Sequence, residues 1–146
     1  MKDIQIMDAS VADVDTLWKW GEENWELWSD EKYKWFSKKS LKKLVSEPKE
    51  DSLLVAKHKN ELIGMLFMYN LRDWAYCVGA YITPRFRKKG LGKMLLIEAE
   101  GRLAAKGIES IALVVDTKNK KGFYFWKKMG FYEGYKFIWM TKDLQT

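Results

Sequence analysis

Five basic residues and two glycines crowd into Arg85-Phe86-Arg87-Lys88-Lys89-Gly90-Leu91-Gly92-Lys93, directly after Ile82-Thr83-Pro84. The β-rich run before this segment reads as a strand and the periodic run after it as a helix, so both glycines occupy a strand-to-helix turn. Glycine lets backbone approach a ligand closely. The first amides of a helix have no partner within it, and its N-terminus carries about half a positive charge. These residue types at this spacing suit the binding of a pyrophosphate or a similar polyanion. The segment is not a P-loop, because Gly92-Lys93 is followed by Met94, and two glycines alone do not make GxGxxG. A turn with glycines for packing and lysines for solvation is the plain alternative.

The elements that must position this turn follow from periodicity. Ile4-Gln5-Ile6 alternates as a short strand, and Ser10 with Asp13 three residues on forms an N-terminal cap. Val11, Val14, Leu17 and Trp18 predict a helix from about Val11 toward Trp28, and Leu41, Leu44 and Val45 a second one stopped by Pro48. Strands are expected over Ser52–Lys57, Glu61–Tyr69 and Trp74–Ile82, with a turn at Asn60, as an antiparallel meander. Leu91, Met94, Leu95, Ala99 and Leu103 then predict a helix to about Lys106, with Gly107 as its stop. A buried-type strand at Glu109–Val115, a helix over Asn119–Met129 closed by Gly130, and a last strand over Phe131–Lys142 complete the chain. The fold class is α+β: a mixed, mostly antiparallel central sheet with helices on both faces and a βα pyrophosphate-binding turn, in one domain over 1–146.

Composition narrows the chemistry further. The chain has 146 residues with one cysteine, Cys77, and one histidine, His58. One of each leaves no metal site of the common types and no intramolecular disulfide. His58, in Lys57-His58-Lys59-Asn60, reads as a solvated hairpin tip. No signal-peptide core and no membrane span are evident, so the expected location is cytoplasmic with Cys77 reduced. The formal charge is +6, from 26 Lys and Arg against 20 Asp and Glu, and there are eight tryptophans. Basic plus aromatic first suggests nucleic acid. The charge is local, however. Segments 85–93 and 118–128 each hold five basic residues and no acid, and the rest of the chain has 16 basic against 20 acidic groups. One anionic ligand accounts for that better, and no nucleic-acid partner is expected.

Arg87-Lys88-Lys89-Gly90-Leu91-Gly92 resembles the [QR]-x-x-G-x-[GA] motif of the Gcn5-related (GNAT) acyltransferases. Asn119-Lys120-Lys121-Gly122-Phe123-Tyr124-Phe125-Trp126-Lys127-Lys128-Met129-Gly130-Phe131 is similar to the family's second motif, N-x-x-A-x-x-[LF]-Y-x-K-x-G-F. The resemblance covers about Leu53 to Leu144 and implies an acetyl-coenzyme A site without metal. It implies pyrophosphate binding by Arg87, Lys88, Lys89, Gly90, Leu91, Gly92 and Lys93. It also implies pantetheine pairing along the backbone of Ala80, Tyr81 and Ile82, with the Ile82 amide as oxyanion donor, and a contact from Asn119. The implied reaction is direct acetyl transfer to a primary amine in a ternary complex. A non-catalytic acyl-coenzyme A sensor is the alternative.

The catalytic groups match less well. The family's acid is a tyrosine at the position of Trp126, whose indole N–H has no useful acidity. Tyr124 is the substitute candidate, or solvent protonates the thiolate. The glutamate that one branch places five residues before the motif asparagine is Val114 here, so Asp116 and Glu26 are the candidate bases. Residues 18–35 hold Trp18, Trp20, Trp25, Trp28 and Trp35, with five acids between positions 22 and 31. Aromatic faces plus carboxylates suit a cationic acceptor such as a small polyamine, an aminoglycoside-like amine or a peptide amine. Tyr135, Phe137 and Trp139 alternate into one aromatic face, which can pair with a second subunit as a homodimer or pack on the chain's own helices.

Overall fold

The expected meander forms. The computed structural model describes residues 2–24, 36–47 and 50–145. They fall into two compact units, 1–116 and 117–146. The first holds a five-stranded sheet in the order β1 (Ile4–Asp8), β2 (Ser52–His58), β3 (Glu61–Asn70), β4 (Ala75–Ile82), β5 (Ile111–Ala112). The first four strands pair antiparallel, and β4 pairs with β5 in parallel. Lys59 and Asn60 both take left-handed φ, 49° and 69°, the geometry of a two-residue hairpin turn whose twist matches its strands.

Helices cover both faces of this sheet. Ser10 and Asp13 open a short 3-10 turn (Val11–Asp13) leading into α1 (Val14–Glu23), and α2 (Lys38–Ser46) follows. Val14, Leu17 and Trp20 of α1 and Leu41 and Val45 of α2 share one cluster with Leu53, Val55, Met65, Phe67 and Tyr81. The alternate positions turn to α3 (Leu91–Ala105): a Cβ at Gly64 would lie 3.4 Å from a Leu95 methyl. α3 buries Leu91, Leu95, Leu96, Ala99 and Leu103. Gly107 ends it at φ 81°, where the Gly107 and Ile108 amides bond the Ala104 and Leu103 carbonyls.

Three expected spans change. The first helix is α-helical only to Glu23, and Trp25, Glu26, Trp28 and Trp35 lie outside the described residues. The strand expected over Glu109–Val115 is confined to Ile111–Ala112, because hydrogen bonding to β4 reaches only Ala75 and Tyr76. No strand forms over Phe131–Lys142. Strand geometry requires a hydrogen-bonded partner, and the 117–146 unit contains no other strand among its described residues. That unit consists of α4 (Lys120–Lys128) and a tail without helix or strand, whose Tyr135, Phe137 and Trp139 stand exposed.

Candidate functional site

The turn after β4 is built for close approach. Pro84–Phe86 forms one 3-10 turn, then Lys88 and Gly90 take left-handed φ of 59° and 81°. Gly90 is the N-cap of α3 and no side chain caps the helix. The first intrahelical bond is Met94 N–H to the Gly90 carbonyl, 3.1 Å. The amides of Gly90, Leu91, Gly92 and Lys93 therefore stand ahead of the helix hydrogen-bond ladder. Space beside them is open, since a Cβ at Gly90 would meet no atom within 4 Å. Arg87, Lys88, Lys89 and Lys93 are all exposed around this mouth. Successive amides on left-handed turns form an anion-binding concavity, so the residues present fit a pyrophosphate.

Arg87 is partly committed. Its Nε donates to the Ile82 carbonyl at 2.8 Å, and its guanidinium lies 5.5 Å from the Tyr81 ring centroid. This ties the turn to the end of β4. Arg85 instead pairs with Glu61 at 2.9 Å. His58 closes β2 rather than standing at the tip, and half-buried it packs its ring 5.4 Å from Phe86.

The edge of β4 supplies a second feature. Thr83 N–H bonds the Ile63 carbonyl at 3.0 Å, which with the strand register makes Tyr81 opposite Met65 the next hydrogen-bonded pair. Tyr81 therefore directs its backbone toward β3. Ala80 and Ile82 direct theirs the other way, past the point where β5 ends. The Ile82 carbonyl is taken by Arg87, leaving the Ile82 N–H and both polar groups of Ala80 on that edge. Of the three residues expected to pair with a ligand arm, the geometry offers Ala80 and Ile82. Tyr81 contributes its ring, 4.9 Å from that of Trp20.

A β-bulge was not anticipated. Phe67 faces Gly79 and Met68 faces Cys77, so Val78 is the extra residue in β4. Bulges bend a strand, release backbone groups from the ladder and cluster beside active sites. The signal was present in Val78-Gly79-Ala80, a glycine inside an otherwise continuous strand. Cys77 beside it is buried, and burial pushes its thiol up to about 12, against the hydrogen bond from the Gly79 amide. A thiol so held is a poor nucleophile. Alkylating the native protein near neutral pH is expected to leave Cys77 unmodified and the activity intact. Inactivation in step with Cys77 labelling would contradict this.

The 117–146 unit holds the second motif. Asn119 is the N-cap of α4, its Oδ1 accepting from Gly122 N–H at 2.9 Å. A Cβ at Gly122 would lie 2.5 Å from Asn119 Nδ2, so glycine lets the cap close. Tyr124 is 67% exposed, and Trp126 packs edge-on against Phe125 and Phe131. Asp116, at the end of the first unit, is exposed beyond β5. Glu26 lies outside the described residues. Among the described residues no three His, Cys, Asp or Glu side chains come together to hold a metal ion. No helix among them is long and apolar enough to cross a membrane.

Comparison with known proteins places this geometry. Residues 14–131 match the model of the acetyltransferase (GNAT) family. A spermidine N(1)-acetyltransferase of Thermoplasma acidophilum is 34% identical, the match covering 88% of each chain. Among solved structures, the PaiA N-acetyltransferase of Thermoplasma acidophilum in complex with coenzyme A superposes with a TM-score of 0.73 at 28% identity, covering 86% of this chain and 87% of that one. An aminoglycoside acetyltransferase from an uncultured soil metagenomic sample shares the fold, with a TM-score of 0.75 at 16% identity over 98% of this chain and 97% of that one.

Proposed function

Because this chain belongs to the GNAT family of acetyltransferases, we propose that it carries acetyl from acetyl-coenzyme A to a primary amine of a small aliphatic polyamine. The observation that carries the donor half is the uncapped, open N-terminus of α3 beside the unpaired edge of β4. The acceptor half is supported by the spermidine acetyltransferase that matches over most of both chains.

Bound acetyl-coenzyme A supplies an acetyl thioester. In this reading the amides of Lys88 to Lys93 hold its pyrophosphate, with Arg87 fixing the turn. Ala80 and Ile82 pair with the pantetheine arm as an added strand would. The Ile82 amide donates toward the acetyl oxygen, where negative charge develops. Asn119, which caps α4 through its Oδ1, contributes a contact to the cofactor in this reading. The acceptor nitrogen first sheds its ammonium proton, then attacks the acetyl carbon. The C–N bond forms, the C–S bond breaks, and the nitrogen loses a second proton. Asp116 or Glu26, directly or through water, is the base. Tyr124, exposed and on the second motif, returns a proton to sulfur. No covalent enzyme intermediate is involved. A cytoplasmic homodimer belongs to the same reading, supported by the lone cysteine and the exposed aromatic tail.

A panel of spermidine, an aminoglycoside and a peptide amine tests it. The expected ranking by kcat/KM has the polyamine first. Under the same assay Tyr124→Phe is expected to lower kcat by roughly 10- to 100-fold, the scale of a general acid whose leaving group is already stable. A peptide or aminoglycoside ranking first would overturn the acceptor, and an unchanged kcat would overturn the role of Tyr124.

A further inference from the structure

The Tyr81 ring stands where the core under α1 meets the donor turn. It is buried in the cluster that includes Val14, Leu17, Met65 and Phe67. Trp20 of α1 packs against it with centroids 4.9 Å apart and planes tilted by 48°. Over the same ring lies the Arg87 guanidinium, its Cζ 5.5 Å from the centroid. Arg87 is held at two further points. Its Nε donates to the Ile82 carbonyl at 2.8 Å, and its amide donates to the Pro84 carbonyl at 3.2 Å. Directly after it the backbone turns left-handed, at Lys88 and again at Gly90. The place where Arg87 is fixed therefore sets where the unpaired amides of the turn begin.

A long side chain that must be ordered when a ligand arrives weakens binding by the entropy of that ordering. Here the fold does the ordering beforehand. A guanidinium is attracted to an aromatic face, and this face is firm because Tyr81 and Trp20 are both buried. Of the five guanidinium N–H groups one is used on Ile82, and four remain to donate. We propose that Tyr81 is a positioning residue for the donor: its ring holds the Arg87 guanidinium so that the free N–H groups and the amides after them are set for a pyrophosphate. The inference rests on the donor half of the acetyltransferase reading above. It gives the Tyr81 side chain a part separate from its backbone, which faces β3.

The test is a double-mutant cycle read by calorimetric titration with coenzyme A, using the full chain. Arg87→Met is expected to weaken binding by about tenfold, and Tyr81→Leu by about three- to fivefold, the scale of a cation over an exposed ring. The double variant is expected to bind no more weakly than Arg87→Met alone, because Tyr81 acts through Arg87. Tyr81→Phe, which keeps the ring, is expected to recover most of the affinity lost in Tyr81→Leu. Arg87→Lys changes only an exposed side chain and so stays folded whatever Tyr81→Leu does. It keeps the charge but loses the Nε bond and the planar face, and is expected to bind nearly as weakly as Arg87→Met. Losses that multiply to about 30-fold or more in the double variant would overturn the proposal. So would parent affinity in Tyr81→Leu or in Arg87→Lys. A parent protein that binds no coenzyme A would sink the donor reading itself, whereas parent binding with multiplying losses sinks only the part given to the ring.

Discussion

Gly90→Asp is expected to cut coenzyme A affinity by about 100-fold or more while the chain stays folded. The two effects separate for a physical reason. Gly90 sits at φ 81° with open space around its Cα. Aspartate tolerates left-handed backbone better than most residues, and a carboxylate at a helix N-terminus stabilises the helix by about 0.3–1 kcal/mol. The same carboxylate stands where a pyrophosphate must come. Two unit charges about 4 Å apart near a protein surface repel by about 4 kcal/mol before screening. Gly90→Ala is the control: it costs backbone strain of about 1–2 kcal/mol and adds no charge, so binding should weaken far less. Calorimetric titration with coenzyme A, beside thermal melts of all three proteins, gives the comparison. Equal affinity in Gly90→Asp and the parent would mean that the turn does not hold the donor.

Asp13→Ala is expected to destabilise the fold by about 3–5 kcal/mol, the cost of breaking a buried ion pair from one side. Asp13 is buried at the start of α1, where its Oδ2 accepts from the Ser10 amide at 2.8 Å and the Ser10 hydroxyl at 3.2 Å. Its other oxygen pairs with Lys57 Nζ at 2.9 Å, and the Lys57 side chain is only 20% exposed. The contact joins the first helical turn to the C-terminal end of β2. Removing the carboxylate leaves an ammonium half-enclosed and two donors unmatched. In a chain of this size the loss corresponds to a fall in Tm of roughly 10 °C. Lys57→Met in the Asp13→Ala background should recover part of it, because the stranded charge goes. A loss below about 1 kcal/mol in urea unfolding would show that water already solvates this pair.

Most of the sheet was legible because its strands carry local signals. The Asn60 turn, the Gly107 stop and the 3.6-residue spacing of Leu91, Leu95, Ala99 and Leu103 each act within a few residues of themselves. The donor turn was legible for the same reason: glycine spacing, basic flanks and a strand-to-helix change lie within one dozen residues. Features that depend on distant partners were not. The bulge at Val78 exists only in register with Phe67, and the division of β4 into residues facing β3 and residues facing the open edge follows from that register. The aromatic alternation of Tyr135, Phe137 and Trp139 predicted a strand, yet alternation specifies only which face a strand would bury. Spacing alone does not place Trp20, which is core against Tyr81.

Transfer of isotope-labelled acetyl from acetyl-coenzyme A to spermidine by the purified protein tests the central claim most directly, read by mass spectrometry of the polyamine together with thiol release. Labelled N-acetylspermidine, formed in step with free coenzyme A and lost in Gly90→Asp, is the predicted result. Coenzyme A binding without label in spermidine or in any other amine would contradict it and leave a binding domain in place of an enzyme.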